Sequence, residues 1–442
     1  MSQQTEPEVY DFSQTRVFRT SSNTIFYGWW IVLAGIVIFI VTSGVGFYGH
    51  GVFLDPLRAK HGWSKGSISL AVTLYFTTTS ILGLFIGRQV DRFGPRPIMI
   101  IGAVLAGLGF SLLGFIRELW QLYLVYLFIA LGWSASSMIP INTVITNWFI
   151  RRRGLAMSLV MNGLSMGGII LVPCATWLIS RWGLQTTLPI LGGLFWVVII
   201  PLAVLVIKRR PADIGQFPDG WPLEDHDEDS ESSISYAAQI RVWTRREAMG
   251  TAAFWAIALS FLAAMTAQVA YLMHQISFLS QTLGASGAAS AVSLTAGASI
   301  AGRLALGTLV DRIDKRYATM GLLFFQAAAV LSLAFFNHVV VLYAGTFTFG
   351  LTMGGILMMQ SLITGECFGM VSFATISGTI GLFVGGGSAL GPAIAGFIFD
   401  ATQSYQIAFA IFAAISLLGA VLILFAKPQA GPATIKRQSA VH

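Results

Sequence analysis

Residues 83–97 read GLFIGRQVDRFGPRP, and residues 303–316 read RLALGTLVDRIDKR. Each places small residues, then an Asp-Arg pair, at the end of an apolar run. The first gives Gly83-x3-Gly87-x3-Asp91-Arg92 and the second Arg303-x3-Gly307-x3-Asp311-Arg312. Residues four apart lie on one helix face, so small side chains there make a smooth stripe that a second helix can approach closely. The Asp-Arg pairs suit packing and topology at a helix end, and also a gating contact between helix bundles. A pattern met twice in one chain of 442 residues implies a repeated unit.

The surroundings say what kind of unit. The chain is 55% hydrophobic and only 10% charged, whereas soluble domains average about 25% charged. Apolar runs long enough to span a bilayer recur along it: 28–52, 67–90, 97–116, 119–142, 154–179, 185–207, 251–281, 288–310, 317–336, 339–365, 372–398 and 405–426. These predict an all-α membrane protein with twelve transmembrane helices. The polar stretch 208–250, with its acidic run EDHDEDSESS, separates six from six. Such a composition cannot bury a core and reads as a mobile linker. The expected organisation is an N-terminal tail 1–26, a bundle 27–207, the linker 208–250, a second bundle 251–427 and a C-terminal tail 428–442.

Net charge is +7, but its distribution argues against nucleic acid. With both termini inside, twenty of the 26 Lys/Arg fall on the cytoplasmic side. Five fall outside: Arg58, Lys60, Lys65, Arg117 and Arg181. This skew follows the positive-inside rule, so these residues read first as topology determinants. Residues 1–26 carry no signal-peptide pattern, which suits a bacterial inner membrane. Cys174 and Cys367 lie in separate apolar regions and suggest neither a disulfide framework nor a metal site. No Walker-type phosphate loop and no Ser/His/Asp set is present, so neither ATP drive nor enzyme chemistry is expected and no cofactor is implied.

The one remaining cation is Arg303, placed by its flanking residues inside a span. A cation at mid-bilayer costs roughly 2.5–3.5 kcal/mol on insertion scales. In the repeat alignment it stands where the other half has Gly83, so the scaffold does not require arginine there. It precedes Asp311 by eight residues, about 12 Å along a helix at about 1.5 Å per residue, which sets it near mid-membrane. A guanidinium binds a carboxylate through two parallel hydrogen bonds, which lysine cannot copy. The only acid read in or near a span is Glu366, at the inner end of the tenth, so an anionic ligand is the expected partner.

The GxxxDRxGxR pattern, here Gly87, Asp91, Arg92, Gly94 and Arg96, repeated after a central loop, resembles the major facilitator superfamily. Pro95 is a modest departure. The resemblance spans about residues 27–427 and implies a 6+6 fold of two pseudo-symmetric bundles. It further implies a central site and alternating access by rocking. Three stretches resemble the monocarboxylate transporter branch and its bacterial relatives, the oxalate:formate antiporter group included. They are YGWWIV with FYGHGVFLDPLRAKHGWSKGSIS, NWFIRRRGLAMSLVMNGLSMGGIILVP and SIAGRLALGTLVDR. That resemblance implies that Arg303 binds substrate. Position 299 is serine, where animal members often carry aspartate. The eleventh span has no basic residue, unlike the oxalate exchanger's pattern, and the first-helix lysine of animal members has no equivalent near Tyr48 and His50.

A lone cation suits one carboxylate better than two. The expected activity is therefore secondary transport of a small monocarboxylate such as lactate, pyruvate or formate, by proton symport. The alternative is exchange of dicarboxylates or other organic anions; a non-transporting membrane sensor is a further class. Tyr48, Tyr75, Asn162 and Gln275 are candidates to complete the substrate site with Arg303. His274 and His50 are the candidate proton carriers, because histidine titrates near neutral pH. The expected partners are the anion, protons and the lipid bilayer, with no obligate protein partner.

Overall fold

The computed structural model describes residues 26–150, 152–220, 243–309, 313–369 and 373–427. Among these the secondary structure is helical, without strands. In chain order the helices are α1 (Gly28–Gly46), α2 (Gly49–His61), α3 (Lys65–Phe93), α4 (Pro95–Leu113), α5 (Leu119–Ser136), α6 (Met138–Trp148), α7 (Arg153–Leu194) and α8 (Ile200–Leu205). After residue 220 come α9 (Arg245–Met249), α10 (Ala252–Leu309), α11 (Lys315–Phe335), α12 (Val339–Phe368), α13 (Phe373–Thr402) and α14 (Gln406–Leu422).

Ten continuous helical segments are long and apolar enough to cross a membrane. Two of them contain one residue that is not helical: Gly183 (φ 74°) in α7 and Gly284 (φ 69°) in α10. Glycine alone takes such a φ without Cβ strain, so the chain can turn there. The first break leaves residues 154–182 and, through the turn 195–199 and α8, residues 184–205; the second leaves 252–283 and 285–307, each long enough to span.

The spans run past the limits that hydropathy suggests. The first continues through α2 to His61, the second begins at Lys65 and the eleventh ends at Thr402. Apolar averaging stops at the first charge, whereas the helix continues because its charges find partners. Asp55, Lys65 and Asp400 therefore lie within helices, which corrects the reading of Glu366 as the only acid in or near a span. Glu366 pairs with Lys315 at 2.8 Å.

The first residues of the 208–250 stretch make contacts with the helices before them. Trp148 Nε1 donates to the carbonyl of Lys208 (3.0 Å) and Asn147 Nδ2 to that of Arg209 (3.2 Å). Asp219 accepts from the backbone amides of Ile150 (2.9 Å) and Arg152 (3.3 Å) at the start of α7. Residues 208–219 thus pack on the bundle; the acidic run 224–232 lies outside the described residues.

The helices before and after the linker meet along three seams. On the α3–α13 seam, Gly396 touches Gly66 and Ser69, Thr73 Oγ1 donates to the Ala389 carbonyl (2.5 Å), and Gly385 meets Ser80. The second joins α7 to the latter part of α10, with Ser165 and Ser299 hydroxyls 2.7 Å apart and Gly168 against Ala296. In the third, Gly51 of α2 lies against the Leu272 and Met273 carbonyls. Towards the linker side such close contacts are not seen among the described glycines. A Cβ on Gly87, Gly307, Gly378 or Gly381 would meet nothing within 4 Å. The two halves are closed together on the side far from the linker and apart on the linker side.

Candidate functional site

Arg303 lies on the latter part of α10, one turn after Ser299, where α7 and α12 crowd the backbone. Gly354 of α12 packs against the Ser299 carbonyl and the Arg303 amide, and Gly302 against Leu351. Such close approach fixes the height of the arginine without involving its side chain. The guanidinium points to the first half: Nη1 donates to Oδ1 of Asn162 on α7 at 2.9 Å. Both residues are half-buried. Among the described residues no carboxylate pairs with Arg303, and the hydrogen bond to Asn162 is the side-chain one seen. A guanidinium has five N–H donors, so most of this fork is open to a ligand.

Tyr48 completes the group. It occupies the break between α1 and α2, where the amides of Phe47 and Tyr48 both reach back to the Ser43 carbonyl (2.9 Å each). Its ring rests on Gly168 of α7, which also meets Ala296, two turns before Arg303 on α10. The phenol oxygen is shielded from solvent and has no hydrogen-bond partner. An unpaired buried hydroxyl beside a half-used guanidinium leaves donors for an anionic ligand on both sides.

The other two substrate candidates have different roles. Tyr75 donates its hydroxyl to the Gly46 carbonyl at 2.7 Å and packs edge-on to His50 (4.5 Å) and tilted against Trp133 (5.9 Å). It braces the α1–α2 break. Gln275 donates to Thr295 Oγ1 at 2.7 Å, tying the two parts of α10 two turns from Arg303. His50 is enclosed by Tyr75, Phe76 and Tyr126 rings.

His274 is fully buried on the far side between the halves. Its Nδ1 lies 3.0 Å from the Tyr405 oxygen, and Nε2 lies 3.1 Å from the Pro392 carbonyl and 3.2 Å from Ser69 Oγ. The residue that sequence reasoning missed is Lys65, only 2% exposed. It donates to Tyr405 (2.9 Å) and Ser277, and its ammonium sits 3.4 Å from Asp55 and 3.9 Å from the centre of the Phe399 ring. Asp400 of α13 accepts from the first amides of α3, Lys65 N (3.0 Å) and Gly66 N (2.6 Å), where the helix dipole favours an anion. The sole signal for this in the sequence was a charge at each end of a span.

Of the gating motif, Gly87 and Gly307 face open space. Arg92 is exposed and its guanidinium lies 5.0 Å from the centre of the Phe93 ring. Asp91 is on α3, and Asp311 and Arg312 lie outside the described residues.

Residues 33–386 match the family model described as Major Facilitator Superfamily. The chain belongs to the major facilitator superfamily. It is thereby an integral, multi-pass membrane protein. Among superfamily members, YcxA of Bacillus subtilis, an MFS-type transporter, is 28% identical over 183 residues, 41% of this chain and 45% of that protein. The match thus spans less than half of that relative's length. Monocarboxylate transporter 13 of Bos taurus is 26% identical over 406 residues, 90% of this chain and 89% of that protein. A solved structure is similar over 91% of this chain and 95% of its own, with a TM-score of 0.65 and 15% identity. It is a bacterial homolog to the human lysosomal transporter Spinster, in an inward-facing and unoccupied conformation. This likeness bears out the fold.

Proposed function

We propose that this protein is a secondary transporter of a small monocarboxylate, working by alternating access between the two helix sets. The observation that carries this is the half-free guanidinium of Arg303, held by the neutral amide of Asn162 from the other half. An arginine already satisfied by an acid would have no need of an anion. A carboxylate entering from the linker side would accept from the open fork and from the Tyr48 hydroxyl. Because these residues come from α1–α2, α7 and α10, a bound anion ties both halves together, which is what alternating access requires. The likeness to monocarboxylate transporter 13 supports the cargo class, and the lone cation disfavours a dianion.

The positive-inside skew supports an orientation with tails 1–26 and 428–442 and the linker 208–250 in the cytoplasm, flanking bundles 27–207 and 251–427. The far side is then the outer side, and the conformation faces inward. Proton symport is the coupling we assign, with His274 as carrier; His50, walled in by aromatic rings, is the weaker candidate.

Uptake of labelled lactate, pyruvate, formate and oxalate into proteoliposomes, with and without an inward proton gradient, tests this reading. Lactate, pyruvate or formate should enter faster with the gradient. Transport of none of the four, or of oxalate alone, would overturn the monocarboxylate assignment.

A further inference from the structure

The outer seam holds a continuous line of hydrogen bonds from a half-exposed acid to a buried imidazole. It starts at Asp55, whose side chain is 39% exposed. Ser277 Oγ donates to Asp55 Oδ1 at 2.9 Å, Tyr405 Oη lies 3.1 Å from Ser277 Oγ, and His274 Nδ1 lies 3.0 Å from Tyr405 Oη. Asp55 belongs to the first half, and Ser277, Tyr405 and His274 to the second.

The partners set the protons. A carbonyl oxygen only accepts, so the His274–Pro392 bond puts a proton on Nε2. Lys65 donates to the oxygens of both Ser277 and Tyr405. Ser277 gives its own proton to Asp55. Tyr405 has one proton and two acceptors for it, Ser277 Oγ at 3.1 Å and His274 Nδ1 at 3.0 Å. With that proton on the Nδ1 side, the ring is neutral.

A second proton on the ring would occupy Nδ1, where Tyr405 now donates. Tyr405 would have to turn towards Ser277, and its oxygen would face two cations, Lys65 and His274. The neighbouring charges do not absorb the addition. Asp55 is paired with Lys65, Asp400 is engaged by two amides of α3, and Arg58 is a further cation 5.7 Å from the centre of the Phe399 ring. Like charges are costly at such range away from water.

We propose that Asp55, Ser277 and Tyr405 form a proton-entry path to His274, and that protonation of His274 releases the outer seam. One proton from the outer aqueous phase binds Asp55 and passes to Ser277 Oγ. Ser277 passes its own proton to Tyr405, and Tyr405 gives its proton to Nδ1, so that each hydroxyl ends with one hydrogen. The proposal deepens the proton-coupled reading above and rests on its orientation, but on no choice of cargo.

The test uses the full chain in proteoliposomes without any cargo, with Cys174 and Cys367 replaced by serine. Spin labels at Ala59 and Ala401, exposed on either side of the seam, report its width. Lowering the pH from about 7.5 to about 5.5 should shift the label distances to a longer population. His274→Gln, whose amide can still donate to Pro392 and accept from Tyr405, should stay at the short distance throughout. An unchanged distance in the parent protein, or a full pH response in His274→Gln, overturns the proposal. Should that variant not reach the membrane, Asp55→Asn cuts the path at its entry and must slow the change in label distance that follows a rapid drop in pH; an unchanged rate overturns the path. Because no cargo is present, failure here is independent of failure of the monocarboxylate assignment.

Discussion

The Arg303 guanidinium and the Asn162 amide oxygen meet at 2.9 Å although 141 positions separate them. This contact joins the halves through a charged donor and a neutral acceptor, and so leaves the arginine's charge uncompensated. An acid at position 162 would change that. Asn162→Asp should form an ion pair with Arg303 that competes with the cargo. Hydrogen bonds to charged groups contribute about 1.5–3 kcal/mol, so initial uptake should fall by roughly tenfold or more with normal membrane expression. Unchanged uptake would remove Asn162 and Arg303 from the binding site.

Arg303→Lys keeps the charge but loses the planar fork. Bidentate binding of a carboxylate is then impossible, and transport should drop by about tenfold or more, measured as uptake by proteoliposomes with matched protein content. Retention of wild-type rates would show that a point charge suffices and that the two-bond geometry is not used.

Gly66 permits the approach of Asp400 to the start of α3. A Cβ there would stand 2.5 Å from Phe397 Cδ1 and 2.7 Å from Asp400 Oδ2. Gly66→Ala should therefore push α13 away and weaken the outer seam. The label pair at Ala59 and Ala401 should show the longer distance even near neutral pH. A distance distribution identical to the parent's would mean that the seam does not depend on this approach.

Asp314 caps α11, accepting from the Arg316 amide at 2.8 Å and from its side chain at 2.5 and 3.1 Å. The side-chain hydrogen bond from Arg316 is the main reason its carboxyl lies below the usual carboxylate range. A depressed folded value means that the stabilisation is present above the ordinary carboxylate pKa and is lost as pH falls through the lowered one. The side chain is 36% exposed, so solvent screens the pair. Asp314→Ala should cost about 1 kcal/mol, the usual scale for a lost cap. Thermal unfolding in detergent should show Asp314→Asn closer to the parent, with a shallower acid dependence.

The apolar runs alone identified the spans, because crossing a bilayer is a requirement on local composition. The paired motifs revealed the repeat, and the isolation of Arg303 in an apolar run marked it as costly without any partner in view. Asn162 and Tyr48 were legible only as polar residues within spans, no more distinguished than Tyr75 or Gln275. Folding separated them: two stand at Arg303, one braces a helix break and one ties two parts of a helix. Lys65 and Asp400 were passed over because hydropathy sums neighbours in sequence, whereas Asp400 meets the start of α3 and Lys65 meets Tyr405 across more than 330 positions. Which side of the seam is closed also had no signature in the sequence, since one chain must adopt both arrangements to transport. The sequence by itself thus determined a membrane-spanning repeat and an unpaired arginine, both set by the local cost of placing groups in lipid. The tertiary structure decided what that arginine touches, how a buried lysine is compensated and where the halves meet, because each depends on contacts between segments remote in the chain.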